Sequence, residues 1–128
     1  MLEGDITVAV AAFANVKAQR AAVWWGTCRD PHAQPYIVAM QVGGVRVQHH
    51  GGAEQMRTVR VQFDCAAPTL ESALTLRAAV NDGLLGIAQT VGSTKILSAT
   101  HQGDRDAYDD GPDFFLASTD ILFQTIPA

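Results

Sequence analysis

The sequence predicts an α+β domain: a mostly antiparallel four-stranded sheet with two helices packed on one face, in the order α-β-β-α-β-β, and one long hairpin loop. Three observations carry this expectation. In Val59-Arg60-Val61-Gln62-Phe63-Asp64-Cys65 the apolar residues fall at every second position, the period of a half-buried strand. Shortly after it, Leu70, Ala73, Leu74, Val80, Leu84 and Ile87 recur at three- and four-residue steps, the period of an amphipathic helix. Near the end of the chain, Phe115, Ala117, Thr119, Ile121 and Phe123 alternate against Leu116, Ser118, Asp120, Leu122 and Gln124. Strands and helices with one apolar face each bury those faces against one another.

In chain order, Asp5 can cap a first helix in which Ile6, Ala9, Val10, Phe13 and Val16 share a face, with Lys17 and Arg20 favourably placed near its C-terminus. Ile6, Val8 and Val10 also alternate as a strand would, but the alanine-rich continuation through Ala22 favours the helix. Val23-Trp24-Trp25-Gly26 and Thr27 to Gln34 read as a connection with turn chemistry. Two adjacent tryptophans cannot both enter one core, so one is a candidate for a subunit contact or a lid over the domain's own core. Pro35 opens a strand, Tyr36 to Val42. Gly43-Gly44 and Gly51-Gly52 bracket Val45 to His50, which reads as a long hairpin that bends at the first pair, turns near the second and re-enters the sheet at Met56.

Ala66-Ala67-Pro68-Thr69 ends that strand, because proline lacks an amide donor, and Thr69 can cap the central helix from Leu70. Gly83 weakens the helix, Gly86 ends it, and Gln89 to Ser93 form a connection. Lys95 to His101 reads as a strand. Gly103 to Asp113, with five aspartates, Arg105, two glycines and Pro112, reads as an acidic surface loop before the last strand. The sheet face away from the helices is expected to carry Thr58, Arg60, Gln62, Ile96, Leu116, Ser118 and Leu122, a mixture typical of subunit interfaces.

Composition narrows the function. The 128 residues suit a single domain over 1–128, and only 17% are charged against the roughly 25% usual in soluble chains. Low charge density on a small domain suggests surface covered by partners. A net charge of -4 with only two lysines provides no electrostatic footprint for nucleic acid, so sequence-specific binding is not expected. Cys28 and Cys65 lack CxxC spacing and read as unpaired buried thiols of a reducing compartment. Glu3 and Asp5 before the short apolar run Ile6 to Phe13 do not resemble a secretory leader, and no run approaches the roughly 18 apolar residues of a membrane span. An intracellular chain with no membrane partner is expected.

The sequence holds little that points to chemistry. His49-His50 point to opposite faces if they lie on a strand, and no Cys, Asp or Glu stands at ligand spacing around them. Asp104-Arg105-Asp106-Ala107-Tyr108-Asp109-Asp110-Gly111 has the carboxylates and glycine of a calcium loop. In the register that puts Gly111 at the sharp turn, however, Tyr108 takes the third position and Ala117 the twelfth. Neither cysteine has a neighbouring histidine, and there is no nucleophile elbow or phosphate-cradling glycine motif. No metal, cofactor or catalytic residue is expected. A competing reading is an oligomeric cytoplasmic enzyme or small-ligand-binding domain whose pocket draws on Tyr36, His101 and the acidic loop.

Taken together, Pro35-Tyr36-Ile37-Val38, the strand Arg57 to Ala66 and the helix Thr69 to Leu84 resemble the tail completion, or tail terminator, family of long-tailed bacteriophages and gene transfer agents. Ala107-Tyr108-Asp109 before the terminal strand fits the same pattern, so the resemblance spans roughly residues 35 to 126. The resemblance implies a non-enzymatic virion protein of the head–tail neck, assembled in the host cytoplasm. It would form a hexameric ring that closes the tail tube and meets a head-side connector or stopper protein, with DNA passing through. The contacts are then expected on the two loops: Arg46, Gln48, His49, His50, Glu54 and Arg57 on the hairpin, and Asp104, Arg105, Asp106, Tyr108, Asp109 and Asp110 on the acidic loop.

Overall fold

The computed structural model describes Ile6, Ala9, Val10 and residues 21–26, 35–48, 55–85, 90–91, 94–109 and 114–127. Its centre is strand β3 (Gln55–Ala67), whose alternation is realised in full: Val59, Val61, Phe63 and Cys65 are completely buried on one face. Against that face lies helix α1 (Leu70–Leu84). Thr69 caps it as expected, extended at φ -121° and ψ 149°, with its Oγ1 accepting from the Ser72 amide at 3.2 Å. The buried stripe is Ala73, Leu76, Ala79, Val80 and Leu84. Leu70, expected on that stripe, is 42% exposed, and Leu76 occupies the core instead because the step from Ala73 to Leu76 to Val80 stays closer to one line than one starting at Leu70. Ile87 and Gly86 lie outside the described residues.

Around β3 the described residues form a mixed sheet in the order β1-β2-β3-β6-β5-β4. The strands are β1 (Ala22–Trp25), β2 (Tyr36–Gln48), β4 (Thr90–Val91), β5 (Thr94–Asp109) and β6 (Phe114–Pro127), with β3 as above. Five of them are substantial and β4 has two residues. All neighbours are antiparallel except β1 and β2, which are parallel. The expected four antiparallel strands with two helices are therefore corrected to a strand-rich mixed sheet with a single bounded helix among the described residues. Ile6, Ala9 and Val10 have helical backbone, and Ile6 and Val10 are buried in the main core; the intervening residues and 11–20 lie outside the described residues, and Ala22, expected at the end of that helix, instead opens β1.

Two of the differences have clear causes. Val23-Trp24-Trp25, expected in a connection, pairs with Ile37 to Ala39 in β1; a four-residue strand is too short to display a period in sequence. The expected acidic loop is largely strand: Gly103 to Asp109 pair with Phe114 to Asp120, so charged exposed side chains mark a sheet margin rather than a turn. Gln89 to Ser93, expected as a pure connection, contains β4.

The ladders are interrupted at three points. In β2 the register shifts between Gln41 and Gly43, leaving Val42 as the extra residue, while the glycine pair expected to bend the strand stays in the ladder opposite Arg60 and Val59. In β5 it shifts between Ile96 and Ser98 and again between His101 and Gly103, leaving Leu97 and Gln102 as extra residues. The first of these bulges corrects the facing of Ile96. Instead of lying on the outer face, Ile96 is 2% exposed in the main core together with Ala99, three residues on, because Leu97 is spliced between them.

Candidate functional site

The residues expected to meet partners separate to opposite ends of the sheet. Arg46 and Arg57 stand directly opposite each other in the β2–β3 hairpin, and Gln48 faces Gln55 at its last pair. Arg57 is half-buried and donates from Nη2 to Gln41 Oε1 at 2.8 Å. His49, His50 and Glu54 lie outside the described residues. At the other end, Asp104, Arg105 and Asp106 are exposed on β5, and Tyr108 and Asp109 close that strand opposite Phe115 and Phe114; Asp110 lies outside the described residues. Arg57 is level with Thr125, and Cys65 is level with Ala117 and Asp106. Eight residues along β3 therefore separate the two ends, about 27 Å at strand rise. The hairpin end places two arginines side by side, whereas the other end places aspartates at 104, 106 and 109.

Sequence reasoning missed what anchors the acidic end. Arg77 of α1, its side chain only 17% exposed, reaches over the sheet and donates from Nη1 to Asp106 Oδ1 at 2.5 Å and to the Arg105 carbonyl at 3.1 Å. Beside it, His101 Nε2 lies 2.9 Å from Asp104 Oδ1 across the bulge at Gln102. Partial burial raises the Asp104 pKa. Hydrogen bonds from His101 and Thr119 and the charges of Arg77 and His101 outweigh that effect, so its carboxyl titrates below the usual range. Thr119 also lies 2.9 Å from Asn81 Oδ1, a polar tie between β6 and α1. An arginine at a helical position next to apolar Leu76 gives a sequence-level hint of such a clamp, but its partner 29 residues on cannot be read from spacing.

The face of the sheet turned away from α1 has the mixed character expected of it. Trp24 stacks on Tyr36 with ring centroids 6.0 Å apart and planes at 28°, in a cluster with Val38, Ala66 and Leu116. Trp25, on the opposite side of β1, packs against the main core, so the two tryptophans do point apart. Next to this cluster, Asp64 Oδ1 accepts from Ser118 Oγ at 2.6 Å and from Gln62 Nε2 at 2.9 Å.

This geometry removes the pocket of the competing enzyme reading. Tyr36 belongs to the outer face. His101 is level with Ile121 and bonded to Asp104 on the helix face, so the sheet stands between the two. Cys65 is no nucleophile either, since burial and the neighbouring Asp64 charge push its thiol pKa far up. Among the described residues no cluster of three or more His, Cys, Asp or Glu could hold a metal ion, and no helix is long and apolar enough to cross a membrane.

Comparison with known proteins accords with a scaffold that presents surfaces. No curated protein sequence matches the chain. Among solved structures, a chain of the "Virion of native gene transfer agent (GTA) particle" shares the fold, with a TM-score of 0.74 over 99% of this chain and 95% of that one at 13% identity. Residues 5–124 match the model of the family described as "Tail completion protein gp17". The chain belongs to that family, which is one of structural phage tail proteins and not of enzymes.

Proposed function

We propose that this tail completion protein acts at the head–tail neck of a virion, as a hexameric ring that ends the tail tube and joins it to the head-side connector. The family match over residues 5–124 carries this reading. The two ends of the sheet support it: an arginine-bearing hairpin end and an aspartate-bearing end can select different partners, one the tail tube protein and the other the connector or stopper. In this reading Arg46, Gln48, His49, His50, Glu54 and Arg57 make one contact, and Asp104, Arg105, Asp106, Tyr108, Asp109 and Asp110 the other. DNA passes through the ring without sequence-specific contact. The subunits assemble in the host cytoplasm and act in the finished particle, and repetition of a modest contact around the ring makes the whole tight.

The test uses the purified chain and tail tubes. Native mass is expected to give a hexamer, and added protein is expected to cap tube ends in negative stain. Because Gln48 faces Gln55, the six residues His49 to Glu54 can be exchanged for Asn-Gly, a two-residue hairpin turn. That variant is expected to keep its melting temperature and lose docking to one partner. A chain that stays monomeric at high concentration and ignores tube ends would falsify the proposal.

A further inference from the structure

The two margins of the sheet have complementary outlines. On one side β1 covers only the start of β2, from Tyr36 to Ala39, and among the described residues nothing pairs with the outer side of β2 from Met40 to Gln48. On the other side β4 covers only Thr94 and Lys95, and among the described residues no further strand pairs with β5 from Ile96 to Asp109, where the Arg105 carbonyl accepts from Arg77 Nη1. The two short strands sit at opposite heights. Following the ladders across, Tyr36 is level with Ala66, Leu116 and Ala107, and Ala39 is level with Phe63, Thr119 and Asp104. β1 therefore projects at the height where, among the described residues, no further strand lies beside β5. β4, beside Thr94 and Lys95, projects beyond the height of Arg46, Arg57, Thr125 and Ile96, where β2 is open.

Direction and chemistry agree with the outlines. β1 runs parallel to β2, and three successive antiparallel steps then lead to β5, so β1 and β5 point in opposite directions. A copy displaced sideways with its strands at the same height would lay its β1 antiparallel against β5, the geometry that two-stranded pairing favours. At that height Arg105 shares the outer face and the level of Ser118, Asp64, Val38 and Trp24. An exposed guanidinium on one margin thus comes to the height of the Trp24–Tyr36 stack on the other, a cation–π match. Unpaired strand margins are templates for a further strand, and a head-to-tail contact between unlike margins of identical chains closes into a ring when its rotation permits.

We infer that copies of this chain join margin to margin, β1 of one seated below β4 of the next and antiparallel to the Asp104–Ala107 stretch of its β5. This rests on the ring reading above and specifies which surfaces make the ring. The test is a disulfide. Ala22 and Ala107 are small, lie at the same height and face the same side; within one chain four strand spacings of about 4.8 Å keep them roughly 19 Å apart, beyond any disulfide. In a Cys28→Ser background, Ala22→Cys/Ala107→Cys is expected to shift on oxidation from monomer to a ladder of covalent multimers ending at the native oligomer size. Each single variant, and Ala22→Cys with Thr100→Cys, is expected to give none. An oligomer in native mass without that ladder overturns the margin pairing and leaves the ring. A chain that is monomeric in native mass in every variant overturns both.

Discussion

Asp104 shows how one side chain can report on the acidic end of the sheet. Its carboxyl is held as the anion by His101, Thr119 and Arg77 despite partial burial, so its folded pKa lies below the unfolded value near 3.8. A depressed acid contributes stability above the unfolded pKa and loses it as pH falls through the folded one. Asp104→Asn is therefore expected to melt lower than the wild type at about pH 5, with the two converging as pH drops below 3.8. Thermal melts between pH 7 and pH 2 measure this, and a gap that persists to pH 2 would show that Asp104 acts through its shape and not its charge. The sequence placed His101 near the acidic stretch only as part of a pocket with Tyr36, and the contact with Asp104 itself was not legible. Asp104 and His101 stand three apart, which only the bulge at Gln102 turns into a contact on one face.

Among the elements, legibility follows how much of the local pattern is dictated by burial. β3 buries Val59, Val61, Phe63 and Cys65 on one face and β6 buries Ala117, Thr119, Ile121 and Phe123, so nearly every second residue there is apolar and the alternation was plain in the chain. The cap at Thr69 is equally local and equally legible. β1 is stabilised by pairing and two tryptophans instead of a period, and the lower half of β5 by a backbone ladder and Arg77, so neither leaves a periodic trace. Bulges deepen the problem, because one extra residue reverses the facing of all that follows, as Ala99 shows by sharing the core face with Ile96 three residues earlier. The helix-to-strand clamp offers a test at this scale. Arg77→Met keeps the buried stem and removes both donors, and since Asp106 is 58% exposed the loss is expected to be small, about 1 kcal/mol. Hydrogen exchange is expected to quicken in β5 from Gly103 to Asp109 and not in α1. Equal acceleration in both would mean that Arg77 stabilises the helix itself.

At the scale of the whole molecule, one contiguous core runs from Ile6 and Val10 through β3 and β6 to α1, with Phe63 and Phe123 its largest fully buried side chains. A core of this kind unfolds as a unit. Phe63→Ala is expected to cost about 3–5 kcal/mol in one cooperative transition, with denaturant melts as the measure. A loss well below that, or two transitions, would show that the sheet's two halves are stabilised separately. Cys65 lies in the same core, completely buried and with its thiol held protonated. A thiol-specific reagent can reach that sulfur only when the core opens, because the attacking species is an exposed thiolate. The molecule therefore carries its own clock: with Cys28 replaced by serine, the rate at which Cys65 is alkylated counts openings of the native state, in the free subunit and in whatever particle it is built into.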